Sequence, residues 1–302
     1  MFRHLSTAAI PTCIKTVAVI GGGNVGTGIA QAAAQNARQV VLVELNQRSL
    51  NKAEETIYDS LKSEAEKIYE GNERNIEKYV LNTTRFITGT TDHSEAVKDT
   101  DLIIEAIPED IDEKIRLFKR LNALAPPETI FATTTDSLSI RKLAEKSSRI
   151  ERFVGLHFFH PAASSKLVEI VKNYWTSRET LENTTVVCND SPGFIVNRLL
   201  LTYITEAIRM MEREEATRKD IDKAMRSIMG ENLGPFEMAD QIGHDTITKL
   251  VEAWRYREPE NMIFQPCSSQ KSLIEKGKLG VKSGEGYYKY DDLSYWVSFR
   301  LK

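Results

Sequence analysis

Val17-Ala18-Val19-Ile20-Gly21-Gly22-Gly23-Asn24-Val25-Gly26 sets the pattern G-x-G-x-x-G directly between an apolar strand and a helical repeat. Val17, Val19 and Ile20 read as a buried parallel strand, Ile29 to Ala34 opens a helix, and a second strand, Val40 to Val43, ends in Glu44. That order of strand, glycine turn, helix, strand and acid is the order of a dinucleotide-binding βαβ unit. Gly21 allows the tight turn, Gly23 lets the backbone approach a pyrophosphate, and Gly26 lets helix and strand pack closely. Gly22, Asn24 and Val25 complete the loop, and the helix N-terminus presents free N–H groups to the phosphate. Glu44 can accept a hydrogen bond from a ribose 2′-hydroxyl and would repel a 2′-phosphate, so the expected cofactor is NAD, not NADP. The alternative is a glycine-rich turn in an ordinary α/β domain.

The 302 residues suggest about two domains and suffice for substantial cores. A formal net charge of −3 gives no reason to expect nucleic acid or an anionic membrane as partner. Cys13, Cys188 and Cys267 lie far apart without metal-ligand spacing, so no metal is expected and reduced thiols in an intracellular compartment are the default. No apolar run approaches the roughly 20 residues that span a bilayer. Residues 1–14 carry Arg3, His4, Ser6, Thr7 and Thr12 and no acid, which reads as a short mitochondrial presequence, or else as a loose N-terminal extension. The terminal Arg300-Leu301-Lys302 is not a peroxisomal address.

Leu50 to Val80 is rich in Glu, Lys and Ala, with Ala53, Ile57, Leu61, Ala65 and Ile68 at helical spacing; it reads as a helical excursion that turns at Gly71-Asn72. Strands are expected at Arg85 to Thr88, Leu102 to Ala106, Ile130 to Thr133 and Phe153 to Phe159, with helices at Lys114 to Leu124 and Ile140 to Lys146. Alternation of this kind makes an α/β, doubly wound parallel sheet the economical architecture. From Ser191 the strand pattern vanishes. Ser191-Pro192 reads as the start of a long helix, and Thr217 with Asp220 and Asp245 with Thr246 as further starts. The expected organisation is a Rossmann-type NAD-binding domain over 15–190 and an all-α domain over 191–302.

Glu105-Ala106-Ile107 with Glu109 and Lys114, Gly155-Leu156-His157-Phe158-Phe159, Lys166-Leu167-Val168-Glu169, Ser191-Pro192-Gly193-Phe194-Ile195-Val196-Asn197-Arg198, Gly234-Pro235-Phe236-Glu237 and Lys282-Ser283-Gly284-Glu285-Gly286-Tyr287-Tyr288 follow in order. With the glycine motif, these make the chain resemble the L-3-hydroxyacyl-CoA dehydrogenase family, mitochondrial short-chain type, from about Lys15 to Tyr290. The resemblance implies NAD-dependent oxidation of an acyl-CoA substrate in fatty-acid β-oxidation, a mitochondrial matrix location, and a homodimer formed through the helical domain.

Oxidising a secondary alcohol with NAD needs a base for the hydroxyl proton while the hydride leaves the same carbon. His157 can be that base, and a carboxylate paired with it can fix its tautomer and stabilise the imidazolium. Glu169, twelve residues on, can supply the carboxylate if the chain doubles back at Pro161 to Ser165. From the residues alone His157 is either this base or a structural histidine; the resemblance implies the base. Asn197 lies on a helix with an apolar stripe through Leu200, Leu201, Ile204, Ile208 and Met211. It either helps bind substrate, as the resemblance implies, or braces the domains. The resemblance further implies that Glu109, Lys114 and Lys282 contact the cofactor and that Ser60 and Lys67 hold the CoA portion; on a Glu/Lys-rich helix those two are otherwise simply solvated.

Three departures from the family pattern bear on activity. Where the family reads serine-asparagine-threonine-serine-serine, this chain reads Thr133-Thr134-Thr135-Asp136-Ser137, so Asp136 replaces a hydroxyl expected to touch the substrate's 3-oxygen. An ionised carboxylate there only accepts, and it opposes negative charge developing on that oxygen. Either Asp136 is protonated or Ser137 takes over. His160 fills the slot of an asparagine beside the nicotinamide. Between Glu169 and Asn197 the chain is about ten residues shorter than the family pattern, leaving Lys172 to Asn183 for a crossover that normally needs a dozen residues or more before a strand at Thr184 to Cys188. Two other activities stay open: a dehydrogenase of a small 3-hydroxy acid without CoA, and an NAD-binding relative with weakened catalysis.

Overall fold

The computed structural model describes residues 14–290 except 160, 166, 178, 182–185 and 231. The expectations placed on residues 1–13 and on His160 therefore lie outside the described residues. The chain divides into two compact units, Met1–Ser191 and Pro192–Lys302.

The first unit runs β1 (Thr16–Ile20), α1 (Asn24–Gln35), β2 (Gln39–Val43), α2 (Gln47–Tyr69), α3 (Glu73–Thr84), β3 (Ile87–Thr90), α4 (His93–Val97), β4 (Leu102–Glu105), α5 (Ile111–Leu124), β5 (Ile130–Thr133), α6 (Ile140–Ser147), β6 (Phe153–Phe158), β7 (Val168–Lys172) and β8 (Val187–Asn189). Its eight strands form one sheet in the order β3-β2-β1-β4-β5-β6-β7-β8. β1 to β6 are mutually parallel, β7 turns back antiparallel on β6, and β8 pairs parallel with β7. This is the doubly wound architecture, with the reversal at β1 between β2 and β4 that places nucleotide sites at the carboxyl ends of the strands.

One sheet face buries Val17, Val19, Leu42 and Ile104 against Ile29 and Ala30 of α1 and Leu50, Ile57 and Leu61 of α2. On α5 the Phe118 ring packs 4.8 Å from Phe153 and 5.7 Å from Phe131. Short polar side chains start the helices: Asn46 accepts from the Ser49 N–H and Asp110 from that of Glu113, each at 2.9 Å. The excursion is a pair of helices whose reversal uses left-handed backbone at Glu70 (φ 48°) and Gly71 (φ 84°).

Several boundaries differ from the sequence expectations. The strand expected at 85–88 lies at Ile87–Thr90, because α3 continues through Thr84. Among the described residues the crossover from β7 to β8 holds one turn of 3₁₀ helix, Glu179–Leu181, and β8 begins only at Val187. Ser191-Pro192 does not start a helix. Gly193 (φ 79°) and Phe194 (φ 50°) are left-handed, which no right-handed helix accommodates, and the helix begins at Val196. A Cβ on Gly193 would stand 2.6 Å from the Trp254 ring, so glycine is required on both counts.

The second unit contains α7 (Val196–Glu212), α8 (Arg218–Met229), α9 (Pro235–Ile242), α10 (His244–Arg257) and α11 (Ser268–Glu275). Its core joins Leu201, Ile204 and Ile208 of α7 to Phe236, Ile247, Val251, Trp254 and Phe264. Thr217 caps α8 as expected, accepting from the Asp220 N–H. Among the described residues no helix is long and apolar enough to cross a membrane, and no group of three metal-ligating side chains converges.

Candidate active site

The glycine loop leaves β1 at Gly21, whose φ of 105° and contact with the Ala106 carbonyl leave no room for a Cβ. A Cβ on Gly26 would meet the Gly21 carbonyl oxygen, whereas nothing lies within 4 Å of one on Gly23. The loop is thus closed where α1 packs on the sheet and open where a phosphate would approach, which fits a dinucleotide. Glu44, at the end of β2, accepts from the Gly22 N–H at 2.6 Å and the Leu45 N–H at 3.0 Å. The acid and the loop therefore face one another, with Glu44 half-buried.

At the ends of β4 and β5 a second carboxylate network stands. Glu105 is fully buried and accepts from Lys114 Nζ at 2.5 Å, Thr133 Oγ1 at 2.5 Å and the Ile107 N–H at 2.8 Å. Lys114 Nζ also donates to the Ile107 carbonyl at 3.1 Å and lies 3.4 Å from Glu109. The side chain of Lys114 is 1% exposed, and its described partners are protein groups that brace the loop after β4. Glu109 accepts from Ser137 Oγ at 2.7 Å and from Thr135 Oγ1. Burial works against its charge, but those hydroxyl hydrogen bonds and the Lys114 ammonium hold its carboxyl below the usual range.

Asp136 follows directly in that loop. Burial above all, with the charge of Glu109 added, pushes its carboxyl above the ordinary value; His157 is the largest opposing influence, with a backbone hydrogen bond and Lys114 behind it. Ser137, the alternative hydroxyl, has its oxygen engaged with Glu109.

His157 stands on β6 directly opposite Glu169 on β7. Cross-strand partners project from the same face of a sheet. Here His157 Nδ1 lies 2.7 Å from Glu169 Oε2, with Glu169 fully buried and His157 6% exposed. The Phe159 ring stands edge-on with its centroid 4.6 Å from the imidazole. The hairpin places together two residues that the sequence separates by twelve positions.

The remaining expected positions are dispersed. Ser60 and Lys67 are exposed on α2, two helical turns apart and on one face. In the second unit Asn197 is half-buried in the first turn of α7, and Lys282 is paired with Asp245. Cys188 and Cys267 are free thiols, each pushed up to about 11 by burial, which makes them poor nucleophiles.

Sequence reasoning passed over Glu105 as anything more than a marker. An acid closing the apolar run Leu102-Ile103-Ile104, with a lysine nine residues on, was the available indication. It also passed over Asp240, fully buried on α9, which accepts from His244 Nε2 at 2.8 Å, the Tyr287 and Tyr288 N–H groups at 2.9 Å and the Tyr290 hydroxyl at 2.6 Å. A Cβ on Gly286 would strike Asp240, so the Gly-Glu-Gly-Tyr-Tyr run is built around that carboxylate.

Residues 16–193 match the family model for the NAD binding domain of 3-hydroxyacyl-CoA dehydrogenase, and residues 193–290 that for its C-terminal domain. The chain belongs to the 3-hydroxyacyl-CoA dehydrogenase family. It is an enzyme of that family, and its cofactor is NAD. The dehydrogenase is 44% identical over 287 residues to the mitochondrial hydroxyacyl-coenzyme A dehydrogenase of Rattus norvegicus, covering 92% of this chain and 91% of that one. To the Homo sapiens protein of the same description it is 43% identical over 295 residues, 94% of each chain. Among solved structures it resembles the (S)-3-hydroxybutyryl-CoA dehydrogenase of Ralstonia eutropha, with a TM-score of 0.84, 32% identity and coverage of 93% of this chain and 100% of that one.

Proposed function

We propose that the enzyme oxidises L-3-hydroxyacyl-CoA to 3-ketoacyl-CoA within fatty-acid β-oxidation, with His157 as general base and Glu169 as the group that orients it. The observation that carries this reading is the 2.7 Å contact between His157 Nδ1 and a fully buried Glu169. With Nδ1 directed at the carboxylate, Nε2 is the nitrogen that takes the substrate hydroxyl proton, and Glu169 offsets the positive charge as the proton arrives. NAD supplies the hydride acceptor. Gly21 to Gly26 with the α1 N-terminus hold its pyrophosphate and Glu44 its ribose, while Glu109, His160 and Lys282 are assigned to the remaining cofactor contacts; Lys114, expected among them, is buried and acts by holding Glu105 and Glu109 in place. Asn197 and Asp136 are assigned to the reacting end of the substrate, and Ser60 and Lys67 to the CoA portion.

The test is NADH oxidation with acetoacetyl-CoA. His157→Gln should lower kcat by about a hundredfold or more, the range general acid–base catalysis contributes, with NADH affinity retained. Turnover unchanged in that variant would overturn the assignment. The free acid should react far more slowly than its CoA thioester; equal rates would favour the small hydroxy acid instead.

Asp136 supports a second reading, an NAD-binding relative with weakened catalysis, because an acid stands beside Glu109 and His157 where a donor is needed. We also assign a mitochondrial matrix location, with residues 1–14 as presequence; the mitochondrial description of the relatives supports the organelle. We assign residues 15–190 to NAD and 191–302 to substrate and dimerisation. Leu199, Ile228, Met229, Tyr256 and Met262 are large apolar side chains exposed on the second unit, giving a homodimer interface apolar surface to bury.

A further inference from the structure

Gly28 sits one turn into α1, past the glycine loop, where a glycine is a poor helix residue. It is buried against the turn that joins β6 to β7. A Cβ at position 28 would stand 2.9 Å from Ala162 Cβ, 3.1 Å from the Ala163 nitrogen and 3.5 Å from the Ala162 carbonyl carbon. Two of these three atoms are backbone, and the third is a methyl with no rotamer to change. Ala162 is itself 4% exposed and part of the core under α1, and its turn is tightened by Ser164 and Ser165 N–H groups that both donate to the Pro161 carbonyl at 3.1 Å. Nothing in the contact can yield without moving the turn.

We propose that Gly28 is a positioning residue for catalysis: its missing side chain lets the turn at Ala162 seat directly on the cofactor helix and so fixes His157 and Glu169 relative to the bound nucleotide. The proposal rests on the reading of His157 as base. One end of α1 holds the pyrophosphate, and the side of the same helix sets the height of the β6–β7 hairpin. The packing of Gly28 on the turn thus acts beside the strand pairing of β6 in setting where the base stands relative to the helix that would hold the nucleotide. A Cβ at 2.9 Å has to retreat by about half an ångström or more to reach ordinary contact. Misplacement of reacting groups by about 1 Å can cost a hundredfold in rate. Helix propensity alone predicts the opposite, since alanine would strengthen α1.

The experiment compares wild type, Gly28→Ala, Ala162→Gly and the double variant, measuring NADH affinity by fluorescence titration and kcat with acetoacetyl-CoA. Gly28→Ala should lower kcat by about ten- to a hundredfold at unchanged NADH affinity, because the loop and Glu44 are untouched. Removing the opposing methyl, Gly28→Ala with Ala162→Gly, should return most of the lost kcat, which a general loss of fold would not. Unchanged kcat in an otherwise active enzyme, loss of NADH binding together with kcat, or no recovery in the double variant each overturn the proposal. Should Gly28→Ala fail to fold, Ala162→Ser enlarges the other side of the contact by one atom. Reduced kcat at unchanged NADH affinity then supports the proposal, and unchanged kcat overturns it. A wild type that binds NADH but does not turn over removes the reading of His157 itself, and the proposal with it.

Discussion

At position 136 a carboxyl stands where the proposed reaction would ask for a hydrogen-bond donor, and burial, Glu109 and His157 act on its proton together. Because its pKa is raised in the folded protein, the unfolded chain releases this proton first as pH climbs past the ordinary value of 3.8. Stability is therefore lost across the window from that value up to the raised one, and the loss is complete above it. Asp136→Asn should accordingly stabilise the enzyme at neutral pH, with the gain vanishing below the ordinary carboxylate range; melting temperatures at acid and neutral pH read this directly. A gain of equal size at both would remove the titration argument. For catalysis, Asp136→Ser restores a donor to the developing oxyanion. The expected rise in kcat is up to about a hundredfold, the lower end of what one oxyanion donor contributes. No rise would place the substrate oxygen elsewhere. The residue scale was partly legible beforehand: residue type singled out Asp136, but the capture of Ser137 and Thr135 by Glu109 depends on loop geometry that no spacing encodes.

Two elements show how local chemistry compensates for what the chain lacks or crowds. Between β7 and β8 the described residues 173–177 are stitched by polar contacts to the segment before β6 and its first residue. Asn173 donates to the Ile150 and Phe153 carbonyls at 3.1 Å, Thr176 Oγ1 to Phe153 at 3.0 Å and the Ser177 N–H to Glu151 at 2.9 Å. Even so, Trp175 and Val187 remain more than a third exposed. An insertion of about ten residues forming an amphipathic helix between Leu181 and Val186 should raise stability by about 1–3 kcal/mol, the worth of burying one such side chain. Denaturant titration checks it, and an unchanged midpoint would show that the loop already does the helix's task. The short 3₁₀ turn in place of a longer crossover element follows from the few residues that chain length leaves between β7 and β8. The left-handed pair Gly193-Phe194 was not legible in the sequence, because Ser-Pro-Gly is equally compatible with a helix start until the Trp254 ring lies against it. In the second unit, Asp240 ties α9 and α10 to the segment Tyr287 to Tyr290. Asp240→Ala leaves several buried donors unsatisfied at about 1–3 kcal/mol each, so a loss of at least about 3 kcal/mol is expected by chemical denaturation.

For the molecule as a whole, the architecture was legible because two periodicities dominate the chain: apolar runs of strand length in the first unit, each bounded by turn residues, and helical stripes in the second. The reversal at β7 was legible only as the short turn at Pro161 to Ser165 between two strand-like runs, since a strand's direction depends on whether its connection is a short turn or a crossover; the register that sets His157 against Glu169 was not. That reversal is what brings Glu169 opposite His157, so catalysis in the proposed form depends on the one part of the sheet that departs from parallel order. The proposed cofactor site, by contrast, depends on the regular part, β1 to β4 and the helices between. The two halves of the site can therefore be tested separately through ligand linkage. NADH at about a hundredfold over its dissociation constant should stabilise the folded enzyme by about 2.7 kcal/mol. For a unit of this size, that shifts the melting temperature by roughly 5–11 °C. NADPH at the same concentration should give far less, since Glu44 meets its 2′-phosphate. His157→Gln should leave the NADH shift intact, because the histidine lies outside the glycine loop and the Glu44 contact, whereas Gly23→Val, which fills the open approach to the loop, should abolish it while folding is retained. If the shift disappears in His157→Gln as well, the hairpin and the cofactor loop stabilise one another, and the division between a regular binding half and an irregular catalytic half does not hold.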